Sequence, residues 1–194
     1  MSLIGRSNLF NNPSEEKLVD VYTYLNTDLF DEIMNKGRVY PVIGITKSAA
    51  WDGAYKALER RLGHASFFAW DRNCILKNKQ ESNENCDEFS HVYVHFQMPT
   101  SAVLKTDYGN WCDLIIVYED SDMDPTPSEL EDSLCAMGMK DTNRSLDQLW
   151  EDIYCVDEDY PVQLLVEYFD KKYMKEYNYT NNPVLTYSMV MDLE

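Results

Sequence analysis

The chain has 194 residues, 44% hydrophobic and 13% aromatic, with 34 acidic against 17 basic side chains and a formal net charge of −17. That length and apolar content fit one domain with its own core and exclude disorder throughout. No stretch approaches 18 apolar residues, which excludes a membrane-spanning helix, and the charge disfavours nucleic acid and anionic membranes while attracting a basic protein surface.

Residues 1–17 are polar and are expected to form a flexible lead-in, with one Arg and no apolar run of the kind a signal peptide needs. Leu18 to Leu25 reads as a strand with Val19, Val21, Thr23 and Leu25 on one face. A helix follows through Leu29, Phe30, Ile33 and Met34, with Gly37 as its stop, and Tyr40 to Thr46 is apolar and β-branched, suiting a short extended segment. Trp51, Ala54, Tyr55, Leu58 and Leu62 repeat at helical spacing, with Ser48 placed to cap that helix and Gly63 to end it. Phe67 to Trp70 reads as a buried strand, and Asp71 to Ser90, polar and without period, as a loop.

Residues 91–98 alternate: Val92, Val94, Phe96 and Met98 point one way, His91, Tyr93, His95 and Gln97 the other, so a half-buried antiparallel strand is expected, ended by Pro99. Leu114 to Tyr118 fits either strand or helix. Thr126-Pro127-Ser128-Glu129 and Ser145-Leu146-Asp147-Gln148 are capping boxes that open two helices. A third helix is predicted from Pro161 to Lys175, with Val162, Leu165, Val166, Phe169 and Tyr173 inward, and a closing strand from Leu185 to Leu193. The expected architecture is one α+β domain over 18–194, a single mixed or antiparallel sheet with helices packed on it.

The charge is concentrated. Asp113 to Asp170 holds 17 acids against Lys140 and Arg144, so −15 of the −17 falls within this acidic half, 113–170. Carried on helices, Glu119, Asp120, Asp122, Asp124, Glu129, Glu131, Asp132, Asp147, Glu151, Asp152, Asp157, Glu158 and Asp159 are the candidate contacts for a basic protein partner. Asp120, Asp122, Asp124 and Glu131 also stand at positions 1, 3, 5 and 12 of a calcium-type loop, but Pro125 occupies the position that needs a glycine turn. An exposed acidic loop is the simpler reading, and no metal site is assigned.

Five cysteines (Cys74, Cys86, Cys112, Cys135 and Cys155) without CxxC spacing suggest reduced thiols and a cytoplasmic location. No nucleophile elbow, Walker loop, dinucleotide fingerprint or HExxH motif occurs. His91 and His95 share a strand face but, at about 3.3 Å per residue, stand about 13 Å apart, too far to hold one ion. No catalytic residue is assigned. Tyr55, Trp70 and the polar face around His95 are candidate walls of an aromatic pocket.

In order along the chain, four blocks resemble the uncharacterised prokaryotic domain-of-unknown-function family 3841. They are Val21-Tyr22-Thr23 with Gly37; Ala54-Tyr55, Arg61-Leu62-Gly63 and Phe68-Ala69-Trp70; Val94-x-Phe96-x-Met98-Pro99 with Val103-Leu104 and Asp107-x3-Trp111; and Ser145 to Tyr154 with Trp150 and Ile153. Tyr22 stands where that family has Trp, and Leu25 where it has Gln. The opening strand–helix–glycine arrangement is loosely similar to ADP-ribosyltransferase folds, in which NAD lies in a cleft of a split sheet. That resemblance implies a nucleotide pocket lined by Thr23, Tyr40, Tyr55, Trp70 and His95, although Asn182 to Thr186 lacks the acid such enzymes carry near the late strand. Two functions are therefore carried forward: a non-enzymatic acidic interaction protein, which needs no cofactor, and an ADP-ribosyltransferase-like enzyme or pseudo-enzyme with an NAD pocket.

Overall fold

The structure, a computed structural model, describes residues 16–42, 52–71, 91–119, 124–139, 143–157 and 162–180. The cap at Ser48, most of the loop after Asp71 and the closing strand at 185–193 lie outside them, as does nearly all of the lead-in. Its last residues, Glu16 and Lys17, are held in place: Tyr173 Oη donates to Glu16 at 3.3 Å, and the Thr100 N–H donates to the Lys17 carbonyl at 2.9 Å.

Strand β1 (Leu18–Asn26) buries Val21, Thr23 and Leu25 and leaves Tyr22 and Tyr24 partly exposed, as its period-two pattern requires. Asn26 then caps α1 (Thr27–Lys36) by accepting from the Leu29 N–H at 2.8 Å. Gly37 ends that helix at φ 83°, a conformation that would strain any residue with a Cβ. A two-residue strand, β2 (Arg38–Val39), follows it. Helix α2 (Asp52–Leu62) ends in the same way at Gly63, φ 77°, whose N–H donates to the Glu59 carbonyl.

The main sheet adds β3 (Phe67–Trp70), β4 (His91–Pro99), β5 (Val103–Thr106), β6 (Gln163–Val166) and β8 (Met174–Thr180) to β1 in the order β5-β6-β3-β1-β4-β8, with every pairing antiparallel. The intervening β7 (Phe169–Asp170) pairs with β2 in a separate ribbon. Leu114 to Val117, open to either reading by sequence, belongs to α3 (Tyr108–Val117), capped by Asp107. The first capping box is complete at α4 (Pro127–Ala136), and Ser145 caps α5 (Leu146–Asp152) by accepting from the Gln148 N–H. This is an α+β fold with one main sheet and helices packed on it. Among the described residues, no helix is long and apolar enough to cross a membrane.

The helix predicted from Pro161 to Lys175 is absent. Its described residues instead form β6, β7, a short 3-10 turn and the first part of β8. The physical reason lies in where β6 sits. Leu164 and Val166 join one core with Val21, Val94, Phe96, Phe30 and Ile33, while Leu165 joins a second with Leu58, Trp111, Leu134 and Trp150. Covered on both faces, β6 carries the short apolar run Leu164–Val166, whose sequence periodicity does not separate strand from buried helix.

Truncation distinguishes the two arrangements. Leu164→Ala and Leu165→Ala are each expected to cost about 2–5 kcal/mol in urea unfolding, because neighbouring strand residues fill different cores. A helix with the predicted inward face would leave Leu164 outside and its truncation nearly neutral.

Candidate functional site

β1 runs beside β4 through nine registered pairs, but meets β3 at a single one, Tyr22↔Trp70. Beyond that pair β3 stays with β6, from Trp70↔Gln163 to Phe67↔Val166, and the sheet forks. Thr23, buried at the fork, reaches across it by donating from Oγ1 to the Phe68 carbonyl at 3.3 Å.

A cavity of about 590 Å³ opens in this fork, within the range of small-molecule sites. Thr23 to Asn26 line one side and Ala65 to Phe68 the other. α1 adds Leu29 and Glu32, the segment after α1 adds Val39 to Val42, and α2 adds Tyr55 and Glu59. Tyr55 packs edge-on against Phe68, ring centroids 5.0 Å apart, and against Trp111 at 5.6 Å. Burial pushes its phenol up to about 12, so Tyr55 offers a neutral hydroxyl at pH 7 and no base. Two lining residues hold buried hydroxyl oxygens with no hydrogen-bond partner among the described residues, Tyr24 Oη and Ser66 Oγ.

Of the five residues expected around a nucleotide, Thr23, Tyr40 and Tyr55 line this cavity, whereas Trp70 and His95 do not. Cross-strand neighbours share a sheet face; Thr23 pairs with Val94, whereas Tyr22 pairs with both His95 and Trp70, which places these on the face opposite Thr23. Tyr55, packed on Phe68, lies on that same face, but Trp70 and His95 there are taken up by other contacts. Trp70 packs there against Tyr93 and Tyr108, and Tyr93 is 1% exposed although its strand position suggested a polar surface. His95 stacks on Tyr22, centroids 4.5 Å apart, and lies 2.8 Å from Asp20, whose carboxyl it holds below its ordinary value by that hydrogen bond. The lining residues missed by sequence, Ser66, Phe67 and Glu59 among them, carry no motif, and only the long-range fork brings them together.

The acidic candidates divide. Asp124 lies 3.2 Å from Arg60 of α2 and accepts from Tyr118 Oη at 2.7 Å. Asp147 pairs with Arg61 at 2.9 Å, and the same guanidinium lies 4.7 Å over the Trp150 ring. Asp152 pairs with Arg144, and Glu129 closes the α4 capping box. Glu119, Glu131, Asp132 and Glu151 are exposed, with no ion pair among the described residues, and Asp157 is exposed as well. Asp120, Asp122, Glu158 and Asp159 lie outside the described residues. Among the described residues, no three His, Cys, Asp or Glu side chains converge to hold a metal ion, and the calcium-spaced Asp124 is engaged by Arg60 and Tyr118.

No family model matches the chain, and neither a curated protein nor a solved structure does.

Within the acidic half, Asp113 on α3 is half-buried, and burial raises its carboxyl above the ordinary 3.8, Asp107 adding to the rise and Arg144 opposing it. The folded state therefore binds this proton more readily than the unfolded chain, and stability falls as pH rises through the raised value. Asp113→Asn is expected to raise the melting temperature at pH 7, with an advantage that shrinks as pH drops below the folded pKa. Calorimetric melts across that range read the difference; an advantage independent of pH would contradict this cause.

Proposed function

We propose that this is a binding protein whose forked sheet takes a small planar ligand between β1 and β3. The observation that carries the reading is the pair of buried hydroxyls on lining residues, Tyr24 Oη and Ser66 Oγ, that have no partner among the described residues, beside a cavity with aromatic walls. An unsatisfied buried polar group costs about 1–3 kcal/mol, which a ligand with a polar edge would relieve. Phe68 and Tyr55 supply the apolar surface on which such a ring is desolvated. No nucleophile or general base is assigned: Tyr55 is a neutral phenol, and burial pushes the nearby Cys112 thiol up, away from thiolate.

Ligand-observed NMR with adenine, nicotinamide and indole tests the cleft directly. At least one ring is expected to bind, and Ser66→Phe, which fills the fork, is expected to abolish that binding while leaving the far-UV circular dichroism unchanged. The absence of any signal at millimolar concentrations of all three would sink the reading.

A second reading rests on α4 and α5. Both pack on α3 and present Glu131, Asp132 and Glu151 outward, without a described ion pair, as a surface for a basic protein. Arg60 and Arg61 reduce that surface, since they already neutralise Asp124 and Asp147. If it docks a partner, immobilised protein will retain basic proteins from a lysate in dilute buffer and release them in high salt. The triple change Glu131→Lys, Asp132→Lys and Glu151→Lys should abolish the retention. No basic protein recovered even in dilute buffer would eliminate this reading.

A further inference from the structure

Resting on the cleft reading, we infer that the fork selects uncharged planar rings and rejects ligands that carry a carboxylate or phosphate into it. Among the described lining residues the charged side chains are Glu32 and Glu59, both acids, and none is Lys or Arg. Two described cations that contact lining residues are already engaged. Lys36 pairs with Glu32 at 2.6 Å. Arg38 reaches Tyr40 Oη at 3.4 Å, but its Nε and Nη2 each lie 2.9 Å from Asp170 Oδ2, and its guanidinium stacks 4.2 Å over Tyr168.

An anion entering the fork would lose its hydration and meet hydroxyls instead of a counter-charge. To gain one it would have to take Lys36 from Glu32, or Arg38 from Asp170, a carboxylate that is 8% exposed and would keep only the Lys172 N–H at 3.0 Å among the described residues. Either exchange gives up an existing ion pair, which offsets the new contact. A neutral ring faces neither penalty. It can pack against Tyr55 and Phe68 and present a polar edge to Tyr24 Oη or Ser66 Oγ. The nicotinamide ring of NAD fits these terms, whereas its pyrophosphate finds no cation among the described lining residues.

A matched series varies charge on one ring: indole, tryptamine and indole-3-propionate, titrated by ligand-observed NMR at neutral pH and physiological salt, with nicotinamide and NAD as a second pair. Indole is expected to bind, tryptamine at least as well, and indole-3-propionate at least about tenfold more weakly, the discrimination that about 1.4 kcal/mol provides. NAD should bind no more tightly than nicotinamide. In Glu32→Gln/Glu59→Gln, with both lining acids neutralised, the gap between indole and indole-3-propionate should narrow.

Equal or tighter binding of the acid, or NAD binding that exceeds nicotinamide, would overturn the charge inference and leave the cleft reading standing. Failure of every ring, or binding unchanged in Ser66→Phe, would remove the cleft reading itself and the inference with it.

Discussion

The structure turns on a strand pairing that stops after one residue pair. β1 is committed to β4 along its whole length, and β3 is committed to β6, so the two halves of the sheet are in ladder register only where Tyr22 meets Trp70. Ladder bonds forgone between neighbouring strands leave backbone groups that must be satisfied in some other way. Thr23 does part of this by donating to the Phe68 carbonyl. The fork stays open because β3 feeds both cores: Phe67 and Ala69 pack toward α1 and the β2–β7 ribbon, while Phe68 packs toward α2 and α3. Swinging β3 onto β1 would withdraw side chains from two packed layers at once, and close-packed interiors resist such a shift.

What sequence revealed and what it hid follow this division between local and long-range causes. Helix caps are local chemistry, so Thr126, Ser145, Gly37 and Gly63 were readable directly. The alternation in β1 and β4 was readable because one face of each strand is plainly apolar. β6 was not, because burial on both faces erases alternation and leaves a run that fits a helix equally well. The cleft was half readable. Tyr40, Tyr55 and Thr23 reach it, whereas Trp70 and His95 both pair with Tyr22 across the face opposite Thr23, a register that neither strand reveals alone.

Charge counting met a related limit. A segment with −15 along the chain suggests a continuous acidic face, yet ion pairs are made in space. Arg60 and Arg61, at the end of α2, are remote in sequence from Asp124 and Asp147 and meet them across the helical layer. Exposed pairs of this kind contribute only about 0–1 kcal/mol each, so their weight lies less in stability than in electrostatics: they remove two negative charges from the surface that a basic partner would see. Arg61 does more than pair, because stacking on Trp150 ties the α2 terminus to the core beneath α5.

α2 therefore belongs to both candidate regions. Tyr55 and Glu59 line the cleft, and the next two residues, Arg60 and Arg61, hold acids of the helical layer. The aromatic contacts run on continuously, from Phe68 and Tyr55 to Trp111 and from Trp111 to Trp150 at 6.2 Å. Shared packing is not coupling between sites, but it decides which substitutions are informative. A change at Tyr55 or Arg61 shifts α2 and disturbs both regions, so a lost activity would have two explanations. Ser66 enters the cleft from the sheet side, and Glu131 and Asp132 extend from α4 into solvent. Each of these can be altered without moving the helix that the two regions share, and only such changes assign an effect to one of them.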